Sequence, residues 1–446
     1  MKMAAADSPS PEPGLHKLAL CWLCVLAPLF FATYGFATWV TSLHSEVSSR
    51  TFDWEQHVPF WAWTIVPYWS IDLLYAFSLF LPRSRETLRC HALRLLTAQL
   101  IAVICFLAWP LRFSFARPET DGAFGWLFEI LSGFDKPFNQ APSLHIALLV
   151  VLWVCFAKHI QGTCRWLMHG WFALIGISVM TTYQHHFLDI PTGALLGWLC
   201  VWLWPDERPI DFLHLSPTGQ AKRLSLGFRY GGAALFLAGT AFWFGGASLW
   251  LIWPAISLGL VALNYMLFGA AGFQKSTAGR ISYAAQWLLA PYWAAAWINS
   301  RLWTCNCPPA NQVADDVWLG RIPTASELRR GSYKAVVDLC AELSLNAKTV
   351  SYRSVPVLDL TVPSAKQCIE AAQSIEELRQ HGPVLVCCAL GYSRSATAVA
   401  AWLLLTERVA SVDEAVKKIQ LVRPRVVLHS AHREQLSTIA CGDPLS

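Results

Sequence analysis

The sequence predicts a multi-span α-helical membrane domain followed by an α/β domain. Three observations carry this. Hydrophobic residues make up 55% of the 446 and charged residues 14%, against roughly 25% charged in a soluble globular chain. The shortage of charge is confined to residues 18–300, which are rich in Trp, Phe and Leu, whereas 311–446 have soluble composition. In that second stretch strand-like and helix-like patterns alternate, which argues for a mainly parallel sheet flanked by helices.

A spanning helix needs roughly 20 mostly apolar residues. Candidates lie at 18–40, 60–81, 90–109, 143–160, 165–183, 187–204, 226–244 and 248–268, with a further apolar stretch at 282–300. The last contains Pro291 and the tryptophans Trp287, Trp293 and Trp297, which suits an interfacial helix. Basic residues fall between spans: Arg83, Arg85 and Arg89; Lys158 and Arg165; Arg208, Lys222 and Arg223; Lys275 and Arg280. The positive-inside rule makes those loops cytosolic. With eight spans the soluble domain then lies in the cytoplasm, and the loop 110–142 faces outward. The expected organisation is a disordered N-terminus at 1–14, a membrane domain at 15–210, additional membrane helices and the interfacial helix at 211–303, and the soluble domain at 304–446.

The net charge of +5 is small, and no Lys/Arg-dense tract points to nucleic acid. Fourteen cysteines, most within apolar segments, do not form a disulfide framework. Cys305-x-Cys307 lacks a second pair at zinc-ligand spacing.

Ionisable residues at membrane depth are costly and point to function. One group is Pro142-Ser143-Leu144-His145, at the start of the fourth span. The other is His185-His186-Phe187-Leu188-Asp189, at the start of the sixth. Both lie on the outward face, beside the loop carrying Arg112, Arg117 and Lys136. A helix would place His185 and Asp189, at i and i+4, on one face. A carboxylate beside an imidazole fixes its tautomer and raises its nucleophilicity. His145 could protonate a leaving alkoxide, and arginines would neutralise phosphoryl oxygens. This reads as phosphoryl transfer through a phosphohistidine. Helix-capping polar residues and a metal site are the competing readings, and the arginines count against a bound cation.

These motifs, with Pro191-Thr192-Gly193 after them, resemble the type 2 phosphatidic acid phosphatase superfamily over about residues 60–205. The resemblance implies His185 as nucleophile, His145 as general acid and Asp189 as orienting carboxylate, with Arg112, Arg117 and Ser143 contacting a phospholipid or lipid-phosphate substrate. Leu144 stands where that family usually has Gly, Val179 where it has Arg, and Pro110 where it has Lys. In this the pattern is similar to the inositol phosphorylceramide and sphingomyelin synthase branch, so a phospholipid headgroup phosphotransferase, or an inactive anchor, is the alternative.

In the soluble half, Ala335–Leu339 and Val384–Cys387 read as buried strands, and Ala365–Arg379, Ser395–Leu405 and Ser411–Val422 as helices, the last with a capping box. After Val384–Cys387 comes Cys388-Ala389-Leu390-Gly391-Tyr392-Ser393-Arg394-Ser395, then a helix. Such a loop can curl so that its N–H groups converge on one centre, an anion cradle backed by a helix N-terminus. A cradle of this kind favours thiolate, the nucleophilic form of a cysteine. Gly391 permits the curvature, Arg394 can grip two phosphoryl oxygens, and Ser395 can assist the sulfur as it leaves. Asp359, on a loop after a strand, is the candidate acid. Cys387 is expected to face the core.

This stretch looks like the dual-specificity protein phosphatase family over essentially all of 313–440, through Val317–Pro323, Val336–Leu339, the Asp359 loop, the Cys388 loop and Arg423-Pro424. The resemblance implies a cysteine phosphatase with Cys388 as nucleophile, Arg394 as phosphate binder, Asp359 as acid and Ser395 as leaving-group helper. Ala389, Leu390, Gly391, Tyr392 and Ser393 would form the substrate-binding loop. The family often has His where Cys387 stands. The whole chain resembles bacterial fusion proteins, implying a multi-pass protein of the inner membrane that uses no metal or organic cofactor. A phosphoprotein or a phospholipid would serve the soluble site. A non-enzymatic scaffold is opposed by the intact set Cys388, Arg394 and Asp359.

Overall fold

Every apolar stretch named above folds at least in part as helix in the computed structural model, which describes residues 12–206 and 220–440. Two compact units divide the chain, 1–209 and 210–446. Most of the expected N-terminal tail and Arg208 lie outside the described residues.

The first unit contains α1 (Leu15–Ser42), α2 (Ile65–Ser78), α3 (Arg85–Ala108), α4 (Gly122–Phe134), α5 (Leu144–His159), α6 (Thr163–Thr181) and α7 (Asp189–Leu203). Leu26, Ile65, Leu95, Phe128, Val151, Ile175 and Leu196 belong to one buried apolar cluster drawn from all seven of these helices. Two glycines explain how α7 meets α5. A Cβ on Gly193 would stand 2.4 Å from the Ser143 carbonyl oxygen, and one on Gly197 would stand 2.7 Å from that of Ala147. Only glycine lets the two backbones approach this closely. That contact carries the His145 segment to the His185–Asp189 segment. The loop 110–142, read as an outward-facing connection between spans, contains α4.

Among the described residues, Leu15–Ser42, Arg85–Ala108 and Gly246–Phe273 are the helical stretches long and apolar enough to cross a membrane. The other expected spans fold as shorter or more polar helices. The stretch 60–81, for example, is trimmed to α2 behind a 3-10 turn at Ala62–Thr64.

The second unit opens with α8 (Gln220–Phe244) and α9 (Ile252–Leu263), followed by single-turn helices through Phe273. The apolar stretch 282–300 is two helices, α10 (Tyr283–Leu288) and α11 (Ala290–Thr304). Pro291 sits in the first turn of α11, where its missing N–H costs nothing. A five-stranded sheet follows, built from β1 (Ala310–Ala314), β2 (Val317–Arg321), β3 (Ala335–Cys340), β4 (Ser351–Val357) and β5 (Val384–Cys388). Its order is β1-β2-β5-β3-β4. All pairings are parallel except β1 with β2. The helices interleaved with it are α12 (Ala325–Arg330), α13 (Ala365–Arg379), α14 (Arg394–Leu405), α15 (Val412–Val422) and α16 (Ser430–Ala440).

Central β5 is buried along its whole length. Its side chains alternate between two apolar clusters: Val384, Val386 and Cys388 on one face, Leu385 and Cys387 on the other. Cys387 thus points away from Cys388, into the core. Lys275, expected as a cytosolic loop charge, is instead buried. Its ammonium donates to Asp338 Oδ2 and to the Cys340 carbonyl, both at 2.6 Å. A buried ammonium requires such a partner, so this residue reports on packing and not on topology.

Candidate active sites

The loop between β5 and α14 is held open by its outward-facing carbonyls. The Cys388 carbonyl accepts from the Ile322 N–H at 2.7 Å and that of Ala389 from Ser300 Oγ at 2.5 Å. Arg423 donates to the carbonyls of Leu390 (3.1 Å) and Gly391 (2.9 Å). The Tyr392 carbonyl accepts from Val427 N–H, and that of Ser393 from Thr397 at the start of α14. With these oxygens committed outward, the loop's N–H groups are left to the concave side. Gly391 has φ +74°, and its Cα packs so closely on Gly320 that a Cβ would lie 2.4 Å from the Gly320 carbonyl carbon.

At the floor of the loop, Cys388 Sγ accepts from the Gly391 N–H at 3.3 Å and from Ser395 Oγ at 3.1 Å. Arg394 is buried and points inward. Glu342 takes both of its terminal nitrogens, at 2.8 and 2.7 Å, and the Val357 carbonyl accepts from Nη1 at 2.8 Å. Nη2 also donates to Asp359 Oδ1 at 2.8 Å. Burial pushes the Glu342 carboxyl up, but the paired Arg394 guanidinium outweighs it and holds the group below the usual carboxylate range. Asp359 goes the other way. Burial, reinforced by the Glu342 charge and opposed by Arg394, pushes its carboxyl up. One carboxylate therefore stays charged to orient the guanidinium, while its neighbour is biased toward the protonated form that a general acid needs.

In the first unit, His185 lies in the turn before α7, not on the helix. Its Nδ1 meets Asp189 Oδ2 at 3.2 Å, and the same oxygen accepts from the His186 N–H at 3.0 Å. Asp189 is the first residue of α7, so the i, i+4 contact is made by a turn closing onto a helix start. Glu55 holds His186, with Oε2 at 2.9 Å from Nδ1 and accepting from the Phe187 N–H at 3.0 Å. The other nitrogen of His186 accepts from the Ser114 N–H at 3.1 Å. His145 stacks on Tyr68 with centroids 4.2 Å apart and lies within electrostatic range of His185. Its Nε2 has no hydrogen-bond partner among the described residues. Asp135, bonded by the hydroxyls of Tyr34 (2.6 Å) and Tyr68 (3.2 Å), is within the same range of His185.

Two family models match. The PAP2 superfamily covers residues 88–207, and the dual specificity phosphatase catalytic domain covers 317–440. The chain is a fusion of a PAP2-superfamily domain with a dual specificity phosphatase catalytic domain. Both families are phosphatases, and the protein is one. Solved structures similar to its C-terminal part include Tk-PTP in the active form, at 29% identity over 30% of this chain and 97% of that one, with a TM-score of 0.28. Human DUSP28, at 24% over 30% and 94%, has the same TM-score. PTPMT1 in complex with PI(5)P, at 23% over 30% and 95%, also scores 0.28. The curated proteins contain no match to the chain.

In the phosphatase domain the fold brings Cys388, Gly391, Arg394, Ser395 and Asp359 together. Ser393 Oγ is paired with His432 Nε2 at 2.8 Å, and Tyr392 extends to the Trp303 carbonyl. In the PAP2 domain it brings together His185, Asp189 and His145. Ser143, expected to contact substrate, is fully buried, and its Oγ caps α5 by accepting from the Ile146 N–H at 3.3 Å. Its N–H donates to the Asp189 carbonyl, so it joins the two motifs. Arg117 lies over the Phe128 ring and donates to Ser132 Oγ, within electrostatic range of Asp135. The Arg112 side chain is exposed and joins no ion pair among the described residues. Glu342, Ser300 and Glu55 carried no sequence signal. Arg423 alone was visible, as half of an Arg-Pro pair.

Proposed function

We propose that this protein is a membrane-embedded phosphatase with two catalytic sites, a cysteine-dependent phosphomonoesterase and a lipid-phosphate phosphatase. The observation that carries it is the Cys388 sulfur, within hydrogen-bond distance of Gly391 N–H and Ser395 Oγ, beside an Arg394 clamped from behind by Glu342.

At the first site the Cys388 thiolate attacks phosphorus, the loop N–H groups and Arg394 take the phosphoryl oxygens, and Asp359 gives its proton to the departing alkoxide. A sulfur–phosphorus bond forms as the ester oxygen–phosphorus bond breaks. Water then attacks phosphorus, Asp359 takes its proton, and thiolate leaves with help from the Ser395 hydroxyl, releasing inorganic phosphate. Phosphorylated protein or phosphorylated lipid fits this chemistry.

At the second site His185 attacks the phosphate of a lipid while Asp189 holds its Nδ1 side. His145 protonates the leaving oxygen, and water discharges the phosphohistidine. The apolar helices Leu15–Ser42, Arg85–Ala108 and Gly246–Phe273 support a multi-pass arrangement, and the basic loops support a cytoplasmic phosphatase domain.

Full-length Cys388→Ser, His185→Ala and the double variant test this with an aryl phosphate in solution and phosphatidic acid in vesicles. The expected result is loss of aryl phosphatase activity in C388S, retained lipid turnover in C388S, and loss of both in the double variant. Undiminished aryl phosphate turnover by C388S would refute the first site.

A further inference from the structure

We propose that the Cys388 site acts on a phosphate monoester carried by a membrane lipid, taken at headgroup depth. This rests on reading Cys388 as the nucleophile and Gly246–Phe273 as a membrane span.

Both catalytic loops are bonded to the apolar helices of their own unit. The hydroxyl of Tyr265, inside the stretch Gly246–Phe273, donates to the backbone carbonyl of Asp359 at 2.8 Å. Ser300 on α11 donates to the Ala389 carbonyl at 2.5 Å. The acid loop is thus one hydrogen bond from a residue of the candidate span, and the headgroup layer beside a hydrocarbon core is only about 5–8 Å deep. With Gly246–Phe273 as a span, a phosphate between Asp359 and Arg394 falls within that layer. A lipid headgroup is already there, whereas a phosphorylated side chain of a folded protein would have to be lowered onto the bilayer.

The rim of the site is built for the same surroundings. Leu360, directly after Asp359, is 56% exposed and held at φ +57°, a conformation unfavourable for a leucine. Trp303 at the end of α11 is 62% exposed. Its carbonyl accepts from the hydroxyl of Tyr392 of the phosphate loop at 3.1 Å and from Arg425 at 3.0 Å. A large exposed apolar side chain therefore follows the acid directly, a second stands at the end of α11 where its carbonyl meets the phosphate loop, and an exposed arginine shares that carbonyl. An exposed leucine on the acid loop and an exposed tryptophan and arginine by the phosphate loop match a bilayer interface with anionic lipids.

The reaction is that of the Cys388 site: the lipid oxygen leaves with the proton of Asp359, phosphorus passes to sulfur, and water releases it as inorganic phosphate. The test uses full-length His185→Ala protein in phosphatidylcholine vesicles, with the His185→Ala/Cys388→Ser protein as blank. Phosphate release is measured from dioleoyl phosphatidic acid in the bilayer, from glycerol 3-phosphate, from a phosphotyrosine peptide and from para-nitrophenyl phosphate. Failure to turn over para-nitrophenyl phosphate above the blank removes the nucleophile reading itself, and the lipid assignment with it. Given that turnover, kcat/KM for the lipid is expected at least tenfold above both glycerol 3-phosphate and the peptide. A smaller preference, or a preference for the peptide, overturns the proposal. Leu360→Glu and Trp303→Glu supply a second reading: the ratio of lipid to aryl phosphate kcat/KM falls at least tenfold in one or both, and an unmoved ratio in both overturns it.

Discussion

Replacing Glu342 with Gln removes the charge that aims Arg394. Glu342 accepts from both terminal nitrogens of the guanidinium at 2.8 and 2.7 Å, and both side chains are almost fully buried, at 2% and 3% exposure. Breaking a buried pair by removing one partner costs about 3–5 kcal/mol, because the remaining charge is left uncompensated. Glutamine keeps one carbonyl acceptor but turns an N–H toward the guanidinium, which places the loss near the low end, about 3 kcal/mol. Arg394 retains Asp359 and the Val357 carbonyl, so it is drawn toward the acid. If most of the loss falls on transition-state binding, kcat/KM drops by about 100-fold, equivalent to about 2.7 kcal/mol. The pH profile moves as well. The Glu342 charge helps hold the Asp359 carboxyl up. Without it the Arg394 attraction gains, the carboxyl falls, and the basic limb, which needs protonated Asp359, shifts to lower pH. The assay is kcat/KM for para-nitrophenyl phosphate across pH, beside the thermal midpoint in the same detergent. A kcat/KM within threefold of the parent, with the basic limb unmoved, refutes the argument.

Asp359→Asn is expected to lose the basic limb of kcat/KM entirely while keeping the phosphocysteine trappable with a good leaving group, as rapid-quench measurement of a burst would show. Arg423→Gln frees the Leu390 and Gly391 carbonyls, so the loop relaxes; the expected loss in kcat/KM is at least tenfold, and lost affinity for vanadate would report it. Lys275→Met strands Asp338 with only Tyr352 and the Cys340 N–H, and should lower stability by about 3–5 kcal/mol in denaturant unfolding. Burial and the neighbouring His429 and Lys222 charges hold His432 down at about 4. Its neutral form is the folded one, so its contribution is complete above the unfolded value of about 6.5 and is lost as pH falls toward 4. His432→Gln should flatten that part of the stability profile relative to the parent.

The sequence by itself pointed to the two candidate sites, because the centre of each is written in a short contiguous run. Cys388 to Ser395 follows a strand and precedes a helix, so local backbone geometry alone places sulfur, amides and guanidinium around one point. His185 and Asp189 are four residues apart, close enough to meet whether the segment is helix or, as found, a turn closing onto α7. The alternation of β5 likewise fixed which cysteine enters the core. What only the tertiary structure decided is everything that holds these groups in place. Glu342 lies 52 residues from Arg394, Glu55 lies 131 from His186, and Ser300 lies 89 from Ala389. Contacts across such separations leave no period or spacing in a single chain. They exist because burying apolar helices and sheet faces brings distant backbones together, and each polar group caught in that burial must then find a partner.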